Sequence, residues 1–308
     1  MVGYIDILIH MTYMSHINPL TCAPDTPAIM GVLNLTPESF SDGERFFDAQ
    51  VVCADAVAAE AVTMARAGAN IIDIGAEATS FHRAGTVSIA PAEQIRRLTP
   101  ALKRTRDALD AAGFKEVLIS IDTRSSEVAA AALDQGAAII NDVSGGAYDA
   151  DMLHLAAARD CPIILMDFRI EAPGERPARH RDLMCDVHSE LARIRDAALA
   201  CGIKRERIIL DPGIGFGKAP EDNWQILAAI DHLKTLDCRI AVGFWRKRMT
   251  GDILPAGAAD WAQRDIASAM MMASLRGTCI SIYRVHQVAL AKCVVNAWKC
   301  LAETSRGV

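Results

Sequence analysis

Eight short apolar runs, separated by helix-length segments rich in alanine, set the pattern of this sequence. Each run has four to six residues, many of them Ile, Val or Leu, which is typical of strands buried on both faces of a parallel sheet. The predicted strands are Ala28–Leu33, Asn70–Ile74, Val117–Ile121, Ala137–Ile140, Pro162–Met166, Arg207–Leu210, Arg239–Val242 and Cys279–Tyr283.

The segments between the runs have the length and the apolar spacing of helices, and the first of them stops at a glycine, Gly68. The predicted helices are Ala49–Ala67, Ala92–Ala111, Ser126–Gln135, Asp149–Arg159, Arg181–Ala200, Glu221–Leu236, Ala262–Arg276 and Val288–Leu301. Eight strands alternating with helices favour an α/β protein with a closed (β/α)₈ barrel, the TIM barrel. An open, doubly wound sheet is the competing fold.

The length of the chain, 308 residues, suits a single barrel domain, since such barrels use about 250 residues. We interpret residues 28–304 as the barrel and residues 1–27 as an N-terminal extension. The extension lacks the basic start and the small-residue cleavage site of a signal peptide. No stretch approaches the roughly 18 apolar residues of a membrane span, so we expect no membrane contact.

Charge and cysteine content narrow the class of protein further. A formal net charge of −6 gives no general reason to bind nucleic acid. The nine cysteines include no CxxC pair and no cluster with zinc spacing, which favours free thiols in a reducing compartment. We therefore expect a cytoplasmic enzyme with small-molecule substrates.

Polar residues follow every predicted strand. One Asp or Asn after a strand is most often a turn former or a helix cap, and the glycine-rich stretch from Gly213 to Gly217 lacks P-loop spacing. The set is more informative than any member, because the carboxyl ends of barrel strands meet at one mouth, where such enzymes carry their chemistry. The sequence therefore predicts an active site at that mouth.

Three of these side chains suit a polar heterocycle. Asp122, Asn141 and Asp211 follow the third, fourth and sixth predicted strands, and Asp and Asn each present a fixed set of donors or acceptors to a ring edge. Because barrel strands converge on one axis, we expect these three side chains to approach the same ligand.

A second group suits a diphosphate. Lys247, Arg284 and His286 are three potential cations after the last two strands. Asn34 and Asp42 offer oxygens suited to Mg²⁺, which needs few protein ligands when phosphates supply the rest. A heterocycle beside a diphosphate site implies a reaction that displaces pyrophosphate.

Five motifs, in order along the chain, resemble dihydropteroate synthase. They are Met30–Gly43, Ile121–Thr123, Ile140–Asp142, Asp211–Lys218 and Arg284–His286. The resemblance runs from about Ile29 to Val294 and covers nearly the whole predicted barrel. It implies a transferase of folate biosynthesis that joins hydroxymethyl-dihydropterin diphosphate to para-aminobenzoate and releases pyrophosphate.

The resemblance also implies roles for individual residues. Asp122 and Lys247 would be catalytic, Asp122 by stabilising a cationic pterin methylene after early departure of the diphosphate. The pterin would be held by Asp122, Asn141, Asp211 and Lys247, with Met166 and Arg284 beside it. Asn34, Arg284 and His286 would hold the diphosphate, and Asn34 and Asp42 would hold Mg²⁺. Phe40, Thr79 and Phe216 would border the aminobenzoate.

The chain departs from the family on the side of the second substrate. Ser80 and Phe81 stand where the family's second loop usually has Arg and Pro. Trp245 and Arg248 replace the two serines of the usual SRKS motif after the seventh strand. In one interpretation Trp245 is core packing and Arg248 is solvated. In the other, Phe81, Trp245 and Arg248 reshape the arylamine pocket, which implies reduced sulfonamide sensitivity or a different amine.

Two rival functions stay open at the level of sequence. A pterin-binding methyltransferase shares the barrel and the aspartates, but it has no leaving diphosphate to require Lys247, Arg284 and His286 together. A paralogue that binds pterins without turnover, or that uses another amine, is the second rival. Relatives of the synthase form dimers through their late helices, and the apolar run Ile266–Leu275 would suit a homodimer.

Overall fold

A closed barrel of eight parallel strands forms the centre of the protein, as a computed structural model shows. The structure describes residues 26–35, 46–48, 51–77, 89–168, 182–255 and 260–305. The barrel strands are β1 (Ala28–Asn34), β2 (Ile71–Gly75), β3 (Leu118–Asp122), β4 (Ile139–Asp142), β5 (Ile163–Met166), β6 (Ile208–Asp211), β7 (Arg239–Val242) and β8 (Ile280–Val285).

Each strand pairs in parallel with the next one along the chain, and β8 returns to pair with β1. The closing ladder joins Ala28 to Ile282 and Gly31 to Val285. This closure confirms the single-domain (β/α)₈ barrel and excludes the open sheet. The predicted extension, residues 1–27, lies almost wholly outside the described residues and stays a prediction.

Helices cover the outside of the barrel. They are α1 (Ala54–Arg66), α2 (Pro91–Ala111), α3 (Ser126–Asp134), α4 (Met152–Ala158), α5 (Leu183–Ala200), α6 (Pro220–Ala228), α7 (Trp261–Ser274) and α8 (Val288–Ser305). Short 3-10 helices span Arg205–Arg207, Ile230–Leu236 and Arg248–Gly251. Within the described ranges, no helix has both the length and the apolar character needed to cross a membrane.

The strand predictions agree with the structure to within two residues at each end, but four helix predictions were wrong at one bound. The helix predicted from Asp149 begins at Met152, and the helix predicted to end at Leu301 ends at Ser305. The helix predicted from Ala49 begins at Ala54, because the β-branched residues Val51 and Val52 pair in antiparallel fashion with Phe47 and Asp48. The helix predicted over Glu221–Leu236 ends at Ala228 and gives way to a 3-10 helix.

Two apolar layers arise because successive side chains of a strand point to opposite faces. In β5, Ile163 and Leu165 belong to the layer between the sheet and the helices, and Ile164 belongs to the layer inside the barrel. The inner layer is made by Ala28, Met30, Ile71, Ile139, Ile164, Ile209, Ala241 and Ile282. The lumen is therefore a packed core, and polar ligands are left to its mouth.

We expect Ile164→Ala to lower the free energy of unfolding by about 2–5 kcal/mol, because the lost side chain leaves a cavity that a closed barrel cannot collapse. Ile253→Ala is the matched control, since Ile253 is 44% exposed whereas Ile164 is 2% exposed. Urea unfolding followed by circular dichroism measures both variants. Equal midpoints for the two would contradict a tightly packed lumen.

Candidate active site

The strand register brings the predicted residues to one level at the mouth of the barrel. Asp122 lies opposite Gly75 on one side and Asn141 on the other. Met166 lies opposite Asp211 across the β5–β6 ladder. Asn34 lies opposite Gly75, across the β1–β2 ladder. The side chains at the ends of β1, β3, β4, β5 and β6 therefore surround a single opening.

A buried ionic network connects this level to β8. Arg284 donates from Nε to Oδ2 of Asp73 at 2.7 Å and from Nη2 to Oδ2 of Asp122 at 2.7 Å. The same Asp73 oxygen accepts the amide of Asn141 at 3.1 Å. Four strands, β2, β3, β4 and β8, thus contribute to one set of hydrogen bonds, and this set fixes the side chains of Asn141, Asp122 and Arg284.

Asp73 is the residue that the sequence reasoning missed. It lies inside β2 and not after it, so a search of strand ends passes it by. The available signal was a carboxylate within the run Ile71-Ile72-Asp73-Ile74, because a charge in a fully buried strand requires partners. Asp73 is completely buried, and its Oδ1 has no hydrogen-bond partner in the described structure.

The charge balance of the network sets the protonation of Asp122. Burial raises the pKa of Asp122 to about 7, with the positive charge of Arg284 opposing the rise and the charge of Asp73 adding to it. Burial alone would lower the pKa of Arg284, but Asp73 and Asp122 raise it overall. Near neutral pH, Asp122 therefore exchanges between its acceptor and donor forms while Arg284 stays charged.

Lys247 and Asp211 form the opposite wall. Lys247 Nζ donates to the carbonyl oxygen of Ile214 and lies 4.1 Å from the centre of the Phe216 ring. Burial lowers the pKa of Lys247 to about 7 against the opposing charge of Asp211. Burial also raises the pKa of Asp211, whose carboxylate accepts the Gly213 N–H at 2.7 Å. Lys247 can therefore exchange a proton with a ligand near neutral pH.

The turn after β6 needs glycine for steric reasons. Gly213 has φ +69°, and a Cβ at this position would lie 2.1 Å from the carbonyl oxygen of Asp167. The buried Lys218 closes the turn, donating to that same carbonyl at 2.9 Å, with Nζ 3.3 Å from the Asp167 carboxylate. This packing holds Phe216 against Phe168, with 5.9 Å between ring centres. The turn thus supplies an aromatic wall beside Lys247.

His286 lies where β8 gives way to α8. It lines a cavity of about 160 Å³ together with Arg246 and the first residues of α8. Burial, together with the charges of nearby Arg246 and Arg284, lowers the pKa of His286 to about 3. His286 is therefore neutral at pH 7 in this structure. Its expected role at the diphosphate stays a prediction, and the neutral ring keeps one N–H to donate.

The comparison with known proteins decides the family. Residues 30–286 match the family described as pterin binding enzyme. Over 261 residues the chain is 38% identical to dihydropteroate synthase of Streptococcus pyogenes, covering 85% of this chain and 90% of that one. The chain belongs to the dihydropteroate synthase family.

Two further proteins agree with this membership. A solved dihydropteroate synthase of Xanthomonas albilineans, with 4-aminobenzoic acid, superposes with a TM-score of 0.77 at 32% identity, covering 91% of this chain and 95% of that one. A probable bifunctional folylpolyglutamate synthase/dihydropteroate synthase of Haloferax volcanii is 39% identical over 281 residues. The matched segment is 88% of this chain but only 30% of that protein.

The ligands for a metal ion are sparse in the described part of this family member. Asn34 is half-buried at the end of β1, and Asp42 lies outside the described residues. The described ranges hold no group of three or more His, Cys, Asp or Glu side chains that could bind a metal ion. The residues present fit Mg²⁺ only if a diphosphate and water supply most of its oxygens, as is usual for this ion.

The predicted second-substrate residues fall into three groups. Phe40, Thr79 and Phe81 lie outside the described residues. Phe216 lies beside Lys247, as described above, and Arg248 is exposed at the start of the 3-10 helix Arg248–Gly251. Trp245 is 4% exposed, and its indole donates to the Asp265 carboxylate at 2.9 Å. This placement is what the packing interpretation expects, so a role for Trp245 in the arylamine pocket stays a prediction.

Some strand-end residues act as local structure. The Asp142 carboxylate accepts the N–H groups of Ser144 and Gly146 at 2.8 and 2.9 Å, which makes it a turn former. Ser125 caps α3 through the N–H of Val128. For these positions the structural interpretation is correct, because their side chains bind N–H groups of the local backbone.

We expect pterin binding to depend on pH with an optimum near 7. Protonated Lys247 is lost as the pH rises through about 7, and ionised Asp122 is lost as the pH falls through about 7. Lys247→Arg should remove the alkaline limb and keep the acid limb, because a guanidinium stays charged. Calorimetric Kd values measured between roughly pH 5.5 and 9 test this.

Lys234→Arg is the control for that experiment, since Lys234 is an exposed lysine paired with Asp231 on a 3-10 helix. Its pH profile should match that of the native chain. An alkaline limb that persists unchanged in Lys247→Arg would assign the titration to another group.

Proposed function

We propose that this protein is a dihydropteroate synthase, joining hydroxymethyl-dihydropterin diphosphate to para-aminobenzoate with release of pyrophosphate. The observation that best supports this function is the network in which Arg284 links the buried carboxylates of Asp73 and Asp122. Lys247 and Asp211 lie on the opposite wall. It presents acceptors and donors to one opening, as the edge of a pterin ring requires. The names of the matched relatives favour a synthase over a methyltransferase.

In this proposal the pterin ring lies over the packed lumen. The carboxylates of Asp122 and Asp211 accept ring N–H groups, and Asn141 and Lys247 donate to ring acceptors. The thioether of Met166, 4% exposed at the end of β5, packs against the ring face. Because Asp73 and Arg284 already hold Asn141 and Asp122, the ring meets side chains that need little reorganisation.

The diphosphate in turn lies toward β1 and β8. Asn34, Arg284 and the neutral ring of His286 donate to its oxygens, beside the N-terminal end of α8, where free N–H groups favour an anion. Mg²⁺ would be held by Asn34 and Asp42 together with phosphate oxygens, and when bound it would neutralise charge on the leaving group. The residues of the chain itself orient the diphosphate away from the aromatic wall at Phe216.

The reaction exchanges one bond at the pterin methylene for another. The C–O bond breaks as pyrophosphate leaves with the electron pair, and the cationic methylene remains beside the negative charge of Asp122. The amine nitrogen of para-aminobenzoate then forms the new C–N bond and loses one proton to pyrophosphate or water. Phe216 borders the aryl ring, and Lys247 keeps the pterin in place throughout.

We also propose that the protein forms a homodimer through α7 and α8. These helices expose Ile266, Met270 and Leu301, which are 53%, 64% and 54% accessible in the single chain. Exposed apolar side chains on adjoining helices mark association surfaces. The eight cysteines in the described ranges are free thiols, which supports the expected cytoplasmic location.

We expect Asp122→Asn and Asp211→Asn each to reduce kcat/KM by at least 100-fold, about 2.7 kcal/mol, because each loses a charged acceptor for the pterin. Pyrophosphate release with a panel of arylamines measures this. Asp142→Asn is the matched control, since Asp142 is a buried carboxylate at the same level whose oxygens face a turn. Near-native turnover in both site variants would overturn the proposed pterin site.

The same assay separates the remaining rivals. A native chain that binds pterin diphosphate but releases pyrophosphate only with another amine is the paralogue with a different second substrate. A chain that binds and never turns over is the non-catalytic paralogue. Formation of dihydropteroate from para-aminobenzoate establishes the synthase.

We expect turnover to require Mg²⁺ and Asn34→Ala to weaken binding of the pterin diphosphate at least tenfold more than binding of the bare pterin. The reason is that Asn34 donates to the diphosphate and not to the ring in the proposed pose. Calorimetry with both ligands, with and without Mg²⁺, measures the difference. Equal losses for both ligands would mean that Asn34 does not serve the diphosphate.

We expect weaker inhibition by sulfonamides than in a family member carrying SRKS. The side chain of Arg248 is free to reach the carboxylate of para-aminobenzoate, which a sulfonamide lacks. About 1.4 kcal/mol at this contact gives tenfold discrimination. Arg248→Ser should raise the KM for para-aminobenzoate and lower the Ki for sulfamethoxazole, whereas Trp245→Ser should lower the Tm and leave that Ki unchanged, because Trp245 is buried. An unchanged Ki in Arg248→Ser would contradict this.

A further inference from the structure

Side chains of α7 bind the backbone of the turn after β7 at two points, at Arg246 and at the carbonyl group of Lys247. On the N-terminal side, the Arg246 N–H donates to Ser268 Oγ at 3.2 Å. On the C-terminal side, the Lys247 carbonyl oxygen accepts from Arg264 Nη1 at 3.3 Å and from Thr250 Oγ1 at 2.7 Å. The backbone of Lys247 is therefore gripped at both ends by side chains, two of them from one helix.

The strongest contact in this grip comes from Asp265 on α7. Its Oδ1 accepts Nε of Arg246 at 2.7 Å and the Trp245 indole N–H at 2.9 Å, and its Oδ2 accepts Nη2 of Arg246 at 2.8 Å. Asp265 and Trp245 are both 4% exposed. One carboxylate thus binds two consecutive residues immediately before Lys247, with bidentate geometry on the guanidinium.

The backbone of the turn needs such an anchor. Arg246 has φ +60°, in the left-handed region that a non-glycine side chain disfavours. A residue held there keeps this conformation only when surrounding contacts over-determine it. The bidentate pair with Asp265 and the N–H bond to Ser268 are those contacts, and reversal of φ at Arg246 would redirect Lys247.

The side chain of Lys247 also has little free space on the side that faces the glycine-rich turn after β6. A Cβ on Gly215 would come within 2.7 Å of the Lys247 side chain, so the lysine passes closely over the glycine turn to Ile214 and Phe216. A small rotation at Arg246 would drive the lysine into this turn or lift it out of the mouth. Its placement therefore depends on the residues before it.

We propose that Asp265 is a positioning residue of the synthase reaction, which acts through Trp245 and Arg246 to aim Lys247 at the pterin and touches no substrate itself. The inference rests on the proposed function. Core packing alone does not account for Asp265, because a buried ion pair is often no more stabilising than apolar residues of the same volume. What the pair supplies here is a fixed geometry beside a group that binds the ligand.

A double-mutant cycle tests the proposal, with the full chain and calorimetric binding of the pterin substrate. Asp265→Asn should raise the pterin Kd at least tenfold when Lys247 is present and less than twofold in the Lys247→Met background, because the effect passes through the lysine. The KM for para-aminobenzoate should stay within twofold. Equal effects in both backgrounds, or no effect in either, would overturn the proposal.

Two indole variants give a milder test that is less prone to unfolding. Trp245→Phe removes one of the bonds to Asp265 and should weaken pterin binding by a few-fold. Trp298→Phe is its matched control, because the Trp298 indole donates to the Ala273 carbonyl at the far end of α7. Equal pterin Kd values in the two variants, at equal losses of Tm, would mean that Asp265 and Trp245 contribute only to core packing, and would overturn the proposal.

The outcomes also separate this inference from the proposed function. A native chain that fails to bind the pterin substrate overturns both. A native chain that binds it and turns it over, with an Asp265→Asn variant that does the same, overturns the positioning role alone.

Discussion

One guanidinium between two buried carboxylates organises the mouth of this barrel. Arg284 is bonded to Asp73 and to Asp122 at 2.7 Å each, and the two acids outnumber it. Burial, together with the negative charge of Asp73, raises the pKa of Asp122 to about 7 against the opposing charge of Arg284. Asn141 takes its orientation from the same oxygen of Asp73. The groups on β3, β4 and β8 that we propose face the pterin thus depend on a single acid within β2.

Such a network is costly to bury, and stability alone gives little reason to keep it. What the network provides is a fixed arrangement of side chains. Three side chains at the mouth are each held by another residue: Asp122 by Arg284, Asp211 by Gly213, and Lys247 by Ile214. The closed ladder of strands keeps these anchors at fixed distances, because no strand of the barrel has a free edge along which to shift.

The fold and most of the strand-end residues could be predicted from the sequence, because both are encoded in short local patterns. Buried parallel strands read as short apolar runs, and a polar residue directly after such a run is visible without any structure. Asp73 escaped because it interrupts a strand. The neutral state of His286 escaped because it depends on burial and on Arg246, forty positions earlier. From sequence alone, Trp245 could line a ligand pocket or pack in the core. The structure favours the core by showing its hydrogen bond to Asp265 on another element.

The nearly balanced charge of the mouth has a consequence for how a ligand is received. The pKa values of Asp122 and Lys247 are both about 7, and His286, whose pKa is about 3, is neutral. A diphosphate brings several negative charges into this setting and raises the proton affinity of every group around it. Binding of the diphosphate would therefore be coupled to an uptake of protons from the buffer. In the proposed pose, the site would acquire its full positive charge only once the diphosphate is bound.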